Sequence, residues 1–250
     1  MLIKLKFRSN KLQKSTNVNI VMPEPHAISD KPYKVLWLLH GLSDDESIWV
    51  RQTSIERYAT EYNIAVVMPD IDRSWYTDTA YDSMYFSYLT EELPKACFDM
   101  FACLSQKRED NIIGGLSMGG YGALKASLTC PEKYGACISL SGALDITRKG
   151  MYCNINEWRS IFGFDIKNPC ELEGSIHDLF HLANVNKDNG KAFPKIYLWC
   201  GTEDSLIVAS DKFSAHLCEL GIPHTYETSE GDHSWKWWDK HIVSGLNNIL

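Results

Sequence analysis

Ile112-Ile113-Gly114-Gly115-Leu116-Ser117-Met118-Gly119-Gly120-Tyr121-Gly122 is the stretch from which the rest of the chain is read. An apolar, β-like run leads into it, and an Ala/Leu-rich helical run, residues 123–128, leaves it. Inside it, Gly115-Leu116-Ser117-Met118-Gly119 has the form G-x-S-x-G. Between a strand and a helix this pattern predicts a nucleophile elbow, in which the serine backbone is strained and its neighbours need almost no side chain. The turn also sets Ser117 at a helix N-terminus, where unpaired backbone N–H groups favour developing negative charge. Without that context the same residues are a glycine-rich turn with an ordinary serine. The strand before and the helix after favour the nucleophile.

Apolar runs alternate with helical ones on both sides of this stretch. Residues 35–39 and 64–68 are continuously apolar, as in strands buried on both faces. The first ends in His40-Gly41-Leu42; the second stops at Pro69-Asp70 and opens an aromatic loop, Ser74-Trp75-Tyr76-Thr77-Asp78. Residues 136–140 and 195–199 predict two more buried strands, and 224–227 a short one. Helices are predicted at 54–61, 206–220 and 235–250, with a long one at 84–104 that Pro94 should kink or mark with a junction. Residues 2–7 and 18–22 read as antiparallel strands at a sheet edge, half-exposed because the second alternates Val18, Ile20, Met22. Between 145 and 193 no comparable strand occurs, and short helices are predicted at 155–161 and 176–182. The pattern predicts an α/β fold with a mostly parallel central sheet and helices on both faces. It further predicts one domain, 1–250, with 145–193 as a lid-like insertion.

Composition narrows the function. At −7 the net charge, without a basic cluster, argues against nucleic acid and anionic membranes as partners. The first 14 residues mix lysine and arginine with single apolar residues and form no secretory h-region. With no apolar run of spanning length, a soluble, cytoplasmic protein is expected. The eight cysteines are dispersed, and Cys137 and Cys200 lie in apolar runs, which predicts buried free thiols rather than a disulfide framework. There is no H-E-x-x-H and no paired Cys or His cluster, so no metal is expected.

A serine hydroxyl becomes a nucleophile only when a base removes its proton, and the imidazole that does so needs an acceptor to fix its tautomer. On sheets of this kind the partners follow the serine in the order carboxylate, then histidine, each after a strand. Asp204 follows the 195–199 strand, and His233 lies in a loop before the last helix. Asp145 also follows a strand, Asp211 falls in a helix, and Asp232 adjoins the histidine it would have to orient. His216 and His241 sit in helical runs, His177 and His181 in the irregular middle, and His40 ends a strand, where it shapes a turn. The tetrahedral intermediate requires two N–H donors. Met118, directly after the nucleophile, and Leu42, after the 35–39 strand, are the candidates for their backbone groups. Trp75, Tyr76 and Trp158 are the expected substrate contacts, because both the aromatic loop and the insertion should border the serine; the alternative for all three is packing against the sheet.

His40-Gly41-Leu42, residues 115–122, Gly201-Thr202-Glu203-Asp204 and Gly231-Asp232-His233-Ser234-Trp235 together resemble the esterase D-like family of α/β-hydrolases. That family includes tributyrin esterases, S-formylglutathione hydrolases, and feruloyl and acetylxylan esterases. The resemblance covers nearly the whole chain and is nearest to the tributyrin esterase branch, through Trp75-Tyr76-Thr77-Asp78. It implies a cofactor-free serine carboxylesterase acting on short-chain or small-alcohol esters, with Ser117, Asp204 and His233 catalytic and Leu42 and Met118 at the oxyanion. Formylglutathione hydrolases usually carry a cysteine just after the first oxyanion residue and histidines around the elbow. Here those places hold Ser43, Asp44, Leu116 and Tyr121. A formyl thioester, or acetyl and feruloyl groups on carbohydrate, are the alternative substrates, and a non-catalytic binding module is the alternative of another class. A small-molecule ester is the expected partner. A homo-oligomer is left open, since Trp235, Trp238 and Ile242 on one helical face read as core.

Overall fold

The structure is a computed structural model that describes residues 1–24, 31–148 and 154–250. Its strands are β1 (Leu2–Ser9), β2 (Lys14–Val21), β3 (Lys34–Leu39), β4 (Ile64–Pro69), β5 (Asn111–Leu116), β6 (Ala136–Leu140), β7 (Lys195–Gly201) and β8 (His224–Ser229). Its helices are α1 (Ile48–Gln52), α2 (Ile55–Glu61), α3 (Tyr85–Ser87), α4 (Leu93–Met100), α5 (Met118–Thr129), α6 (Ile155–Phe162), α7 (Leu179–Asp188), α8 (Ile207–Glu219) and α9 (Trp235–Ile249). The strands form one sheet in the order β1-β2-β4-β3-β5-β6-β7-β8. β1 with β2 and β2 with β4 pair antiparallel, and every later pair is parallel.

Side-chain alternation explains why the central strands are apolar throughout. Val35, Trp37 and Leu39 join one core beneath α4, α5, α7 and α8; Leu36 and Leu38 join another beneath α1, α2 and α9. All five are at most 1% exposed. Burying a Val or Leu side chain contributes about 1.5–3 kcal/mol, which outweighs about 1–2 kcal/mol for fixing each residue's backbone. A polar residue on either face of β3 would have no water to meet. β1 is the true edge: Lys4, Lys6 and Arg8 are exposed while Ile3, Leu5 and Phe7 pack on the first core. β2, expected to be half-exposed, is covered between β1 and β4, and Val18, Ile20 and Met22 are buried.

Three local expectations are corrected. The single helix expected over 84–104 is α3, a π-helical turn at Tyr88–Glu92, and α4. Pro94 marks the junction, in the first turn of α4 directly after the π-helical turn ends at Glu92, and the helix ends before Phe101. The second insertion helix starts at Leu179 rather than 176, because the Asp178 carboxylate accepts from the Phe180 and His181 N–H groups at 3.0 and 3.3 Å and so caps it there. The short α1 follows the acidic loop Asp44-Asp45-Glu46 and leaves no strong pattern in the sequence; Trp49 draws it inward, donating from Nε1 to the Leu39 carbonyl at 3.0 Å.

Trp158, Ile161, Leu172 and Leu179 of the insertion belong to the same core cluster as β3 and α5. Residues 149–153 of the expected lid-like segment lie outside the described residues. Cys137 and Cys200 are buried free thiols, and burial pushes both up to about 12. Among the described residues no helix is long and apolar enough to cross a membrane.

The first turn of α5 lies directly on the end of β3. A Cβ at Gly119 would stand 2.5 Å from the Leu39 carbonyl oxygen and 2.7 Å from that of His40. Both obstacles are backbone of a central strand, so neither can turn aside. Gly119→Ala should therefore destabilise the fold by about 1–3 kcal/mol or more, read as the shift in a urea unfolding midpoint. An unshifted midpoint would mean that α5 and β3 have slack the packing does not show.

Candidate active site

β5 runs into α5 with Ser117 as the residue between them, at φ 53° and ψ −118°. A serine gains nothing from that conformation by itself, and such torsions cost on the order of 1–3 kcal/mol. Three backbone bonds hold it: Ser117 N–H donates to Leu140 O at 3.0 Å, and its carbonyl accepts from Tyr121 and Ala143, each at 3.1 Å. The elbow is thus clamped between its own helix and the loop after β6.

The hydroxyl of Ser117 lies 3.1 Å from His233 Nε2, and His233 Nδ1 lies 2.8 Å from Asp204 Oδ2. A carboxylate can only accept, so the imidazole hydrogen is on Nδ1, and Nε2 is the acceptor facing the serine O–H. The residues come from the loops after β5, β7 and β8, far apart in sequence. Contact between the last two loops is set by a close approach: a Cβ at Gly201 would sit 2.1 Å from the Gly231 carbonyl, which itself accepts from Glu203 N–H at 2.9 Å. The Asp204 side chain is fully buried, whereas His233 keeps 36% of its side-chain surface. One end of the relay is therefore dry and the other open.

Burial, the largest influence on Asp204, pushes its carboxyl up. Hydrogen bonds from His233, from the Leu206 N–H at 2.9 Å and from the Ser141 hydroxyl outweigh it and hold the group below the ordinary carboxylate value. Ser141 also accepts from Trp238 Nε1 at 3.0 Å, and the Trp238 ring stands nearly perpendicular to the His233 imidazole, centroids 4.8 Å apart. Sequence reasoning missed Ser141. Its only signal was a position after β6, where a serine at φ 47° turns the chain.

Met118 opens α5, where first-turn N–H groups have no acceptor inside the helix. Among the described residues neither its N–H nor that of Leu42 donates to another protein group. His40 anchors the Leu42 loop: its Nδ1 donates to Gly41 O at 2.7 Å and its Nε2 accepts from Ile71 N–H at 3.0 Å. Burial lowers its pKa, so it is held as the neutral tautomer those two bonds require. From outside, Arg73 donates to the Leu42 carbonyl at 3.4 Å while its guanidinium grips Glu157 of α6 at 2.6 and 3.1 Å.

The competing residues are engaged elsewhere. Asp145 pairs with Lys212, Asp211 accepts from Tyr226, and Asp232 binds the Ser234 hydroxyl. His241 stacks on Trp199 with centroids 4.0 Å apart, and burial drops its pKa to about 4. His216 faces the Phe180 carbonyl, and His177 faces Lys125. Trp75 and Trp158 are in contact, centroids 5.8 Å apart, and Trp75 meets the ring of Tyr121, one turn after Ser117. Tyr76 is wholly buried, with its hydroxyl on the His40 carbonyl at 2.8 Å. In the described conformation Tyr76 braces the loop from inside rather than offering surface to a substrate.

The chain matches the family model "Putative esterase" over residues 9–249. It is 32% identical over 261 residues to an acetyl esterase of Caldicellulosiruptor saccharolyticus, covering 98% of this chain and 96% of that one. Among solved structures it is similar to the Staphylococcus aureus fluorophosphonate-binding serine hydrolase FphF, with a TM-score of 0.91 and 33% identity over 100% of this chain and 98% of that one. It is similar also to the S-formylglutathione hydrolase FrmB of the same organism, with a TM-score of 0.87, 33% identity and the same coverages.

The lowered Asp204 pKa has a consequence for stability. A depressed carboxyl stabilises the fold above its unfolded pKa and loses that contribution as pH falls through its folded value. The difference in unfolding free energy between wild type and Asp204→Asn should therefore narrow as pH falls below about 5 and on through the carboxyl's lowered folded value. Denaturant unfolding at a series of pH values measures it; a gap that stays constant would place the carboxylate's stabilising contacts elsewhere.

Proposed function

Because the chain belongs to the esterase family, as a serine carboxylesterase on an α/β-hydrolase fold, we propose that Ser117, His233 and Asp204 are the residues that perform the hydrolysis. The observation behind this reading is the continuous hydrogen-bond path from Ser117 Oγ through both imidazole nitrogens to Asp204. Ser117 Oγ attacks the ester carbonyl carbon as its proton passes to His233 Nε2. The carbonyl oxygen becomes an oxyanion, stabilised by the N–H groups of Leu42 and Met118 in their preset positions. Collapse expels the alcohol, which takes the proton from His233, and leaves an acyl group on Ser117. Water, deprotonated by the same nitrogen, then attacks the acyl-enzyme, and the acid departs with Ser117 restored. Asp204 keeps its charge throughout and supports the imidazolium.

A short acyl group is the proposed substrate element. Trp75, edge-on to Tyr121 one turn after Ser117 and in tilted contact with Trp158, would limit the room next to Ser117 with the small part of each ring left uncovered, and a relative at 32% identity is named an acetyl esterase. A formyl thioester is the second reading, favoured by the similarity to FrmB. Ser43 and Asp44 stand where formylglutathione hydrolases usually carry the cysteine, the Asp44 carboxylate oxygen 3.0 Å from the point a Gly41 Cβ would occupy. A carboxylate there does not reproduce a thiol.

Two experiments test the proposal. A fluorophosphonate should label Ser117, located by mass spectrometry of the digested protein, and Ser117→Ala should remove the label and lower p-nitrophenyl acetate turnover at least about 10³-fold. Asp204→Asn should cost on the order of 10⁴ in kcat. A Ser117→Ala protein that keeps near-wild-type turnover would overturn the nucleophile assignment. If the aromatic wall bounds the acyl group, Trp75→Ala and Trp158→Ala should each shift kcat/KM from acetyl toward octanoyl esters by about tenfold. An unchanged chain-length profile in both would assign the two tryptophans to packing alone.

A further inference from the structure

Lys125 lies in the middle of α5, two turns after Ser117, and is 2% exposed. A buried ammonium is costly unless every N–H finds an acceptor. This one has three: the Tyr76 carbonyl at 3.0 Å, the Thr77 hydroxyl oxygen at 2.7 Å and His177 Nδ1 at 3.1 Å. Two acceptors belong to the aromatic loop and one to the insertion, so a single side chain of the elbow helix clasps both segments. Tyr121, one turn earlier, adds a second tie, donating from its hydroxyl to the His177 carbonyl at 3.0 Å.

Both clasped segments hold a non-random shape. Trp75 and Tyr76 have φ of 51° and 50°, consecutive bulky residues in a region that L-amino acids avoid. Such torsions persist only when surrounding bonds overdetermine them, and Lys125 supplies one of those bonds at the Tyr76 carbonyl. The contacts then close a ring. Trp75 meets Trp158, Trp158 stacks on Phe162 with centroids 4.6 Å apart, Phe162 meets His177 edge-on at 5.0 Å, and His177 returns to Lys125. Burial lowers Lys125 to about 7, and the Asp78 carboxylate, which accepts from the Ser87 N–H and hydroxyl, pulls the other way and favours the charged form. Burial lowers His177 to about 3, so it remains a neutral acceptor at ordinary pH.

We propose that Lys125 is a positioning residue for acyl-chain selection: by fixing the Tyr76–Thr77 backbone and His177, it holds Trp75 and Trp158 in place beside the nucleophile. This rests on the reading above that the two tryptophans bound the acyl group. Lys125 itself touches neither the substrate nor the reacting atoms.

The test uses Lys125→Met, which keeps length and apolar bulk but donates nothing, with Thr77→Val and Thr77→Ser. In Lys125→Met the acetyl-to-octanoyl ratio of kcat/KM should fall at least about fivefold, chiefly through a lower KM for p-nitrophenyl octanoate. Turnover of the acetate should change by less than about twofold in kcat. Thr77→Val, which removes one acceptor, should move the ratio the same way, and Thr77→Ser, which restores the oxygen, should return the wild-type ratio. A purely structural lysine would lower the melting temperature and leave the ratio where it was. If Lys125→Met and Thr77→Val keep the wild-type ratio while Trp75→Ala shifts it, Lys125 has no positioning role. If neither tryptophan variant shifts it, the wall reading fails and the inference with it. Because the Thr77 hydroxyl also donates to the Trp75 carbonyl at 2.9 Å, Thr77→Val does not isolate the lysine; should Lys125→Met not fold, Lys125→Leu decides, a shifted ratio supporting the inference and an unchanged one overturning it.

Discussion

Gly119 rests on the carbonyl oxygens of Leu39 and His40, and that contact is what brings the start of α5 against the end of β3. With α5 held there, the chain leaving β5 has too little length to turn gradually, and Ser117 takes up the sharp bend at φ 53°. The same carbonyls serve as anchors for other elements. Leu39 O accepts from Trp49 and His40 O from Tyr76, so α1 and the aromatic loop are both referenced to the end of β3. The serine, the two unspent N–H groups and the aromatic loop therefore share one origin in the backbone.

Burial divides the site's ionisable groups by task. Asp204 is dry and oversupplied with donors, which keeps it charged and immobile; His233 is partly open, so its Nε2 edge can meet an arriving ester. His40 and His241 show what burial does to an imidazole with no carboxylate bound to a ring nitrogen: both are pushed down and held neutral. Among the described histidines, only His233 combines a carboxylate on one nitrogen with a hydroxyl on the other.

The insertion could be held to the rest of the domain by charge or by packing, and magnitudes favour packing. Arg73 and Glu157 form a well-aligned pair, but their side chains are 49% and 24% exposed, and such pairs contribute about 0–1 kcal/mol. Trp158, 2% exposed, buries on the order of 200 Å² of ring, about 5 kcal/mol of transfer free energy before ordering costs. The aromatic row on Tyr121 fixes where the insertion sits, and the ion pair trims its outer edge.

Much of this was determined by sequence alone, because the signals were local. Continuous apolar runs marked β3, β4, β6 and β7, since a strand covered on both faces cannot spare a polar residue. The elbow was legible because its glycines and its serine lie within one turn, and strand order then placed Asp204 and His233 after β7 and β8. Short-range competition was harder to read: Asp178 outbid Ile176 as the start of α7, and the π-helical turn inside the expected 84–104 helix leaves no pattern in residue type. What only tertiary structure decided are pairings between residues 30 to 130 positions apart. Ser141 under Asp204, Tyr76 turned inward beneath His40, and Lys125 reaching the loop and His177 each place a polar group in a dry interior. Sequence records the polar residue; whether it finds acceptors there depends on which chain segments the sheet brings together.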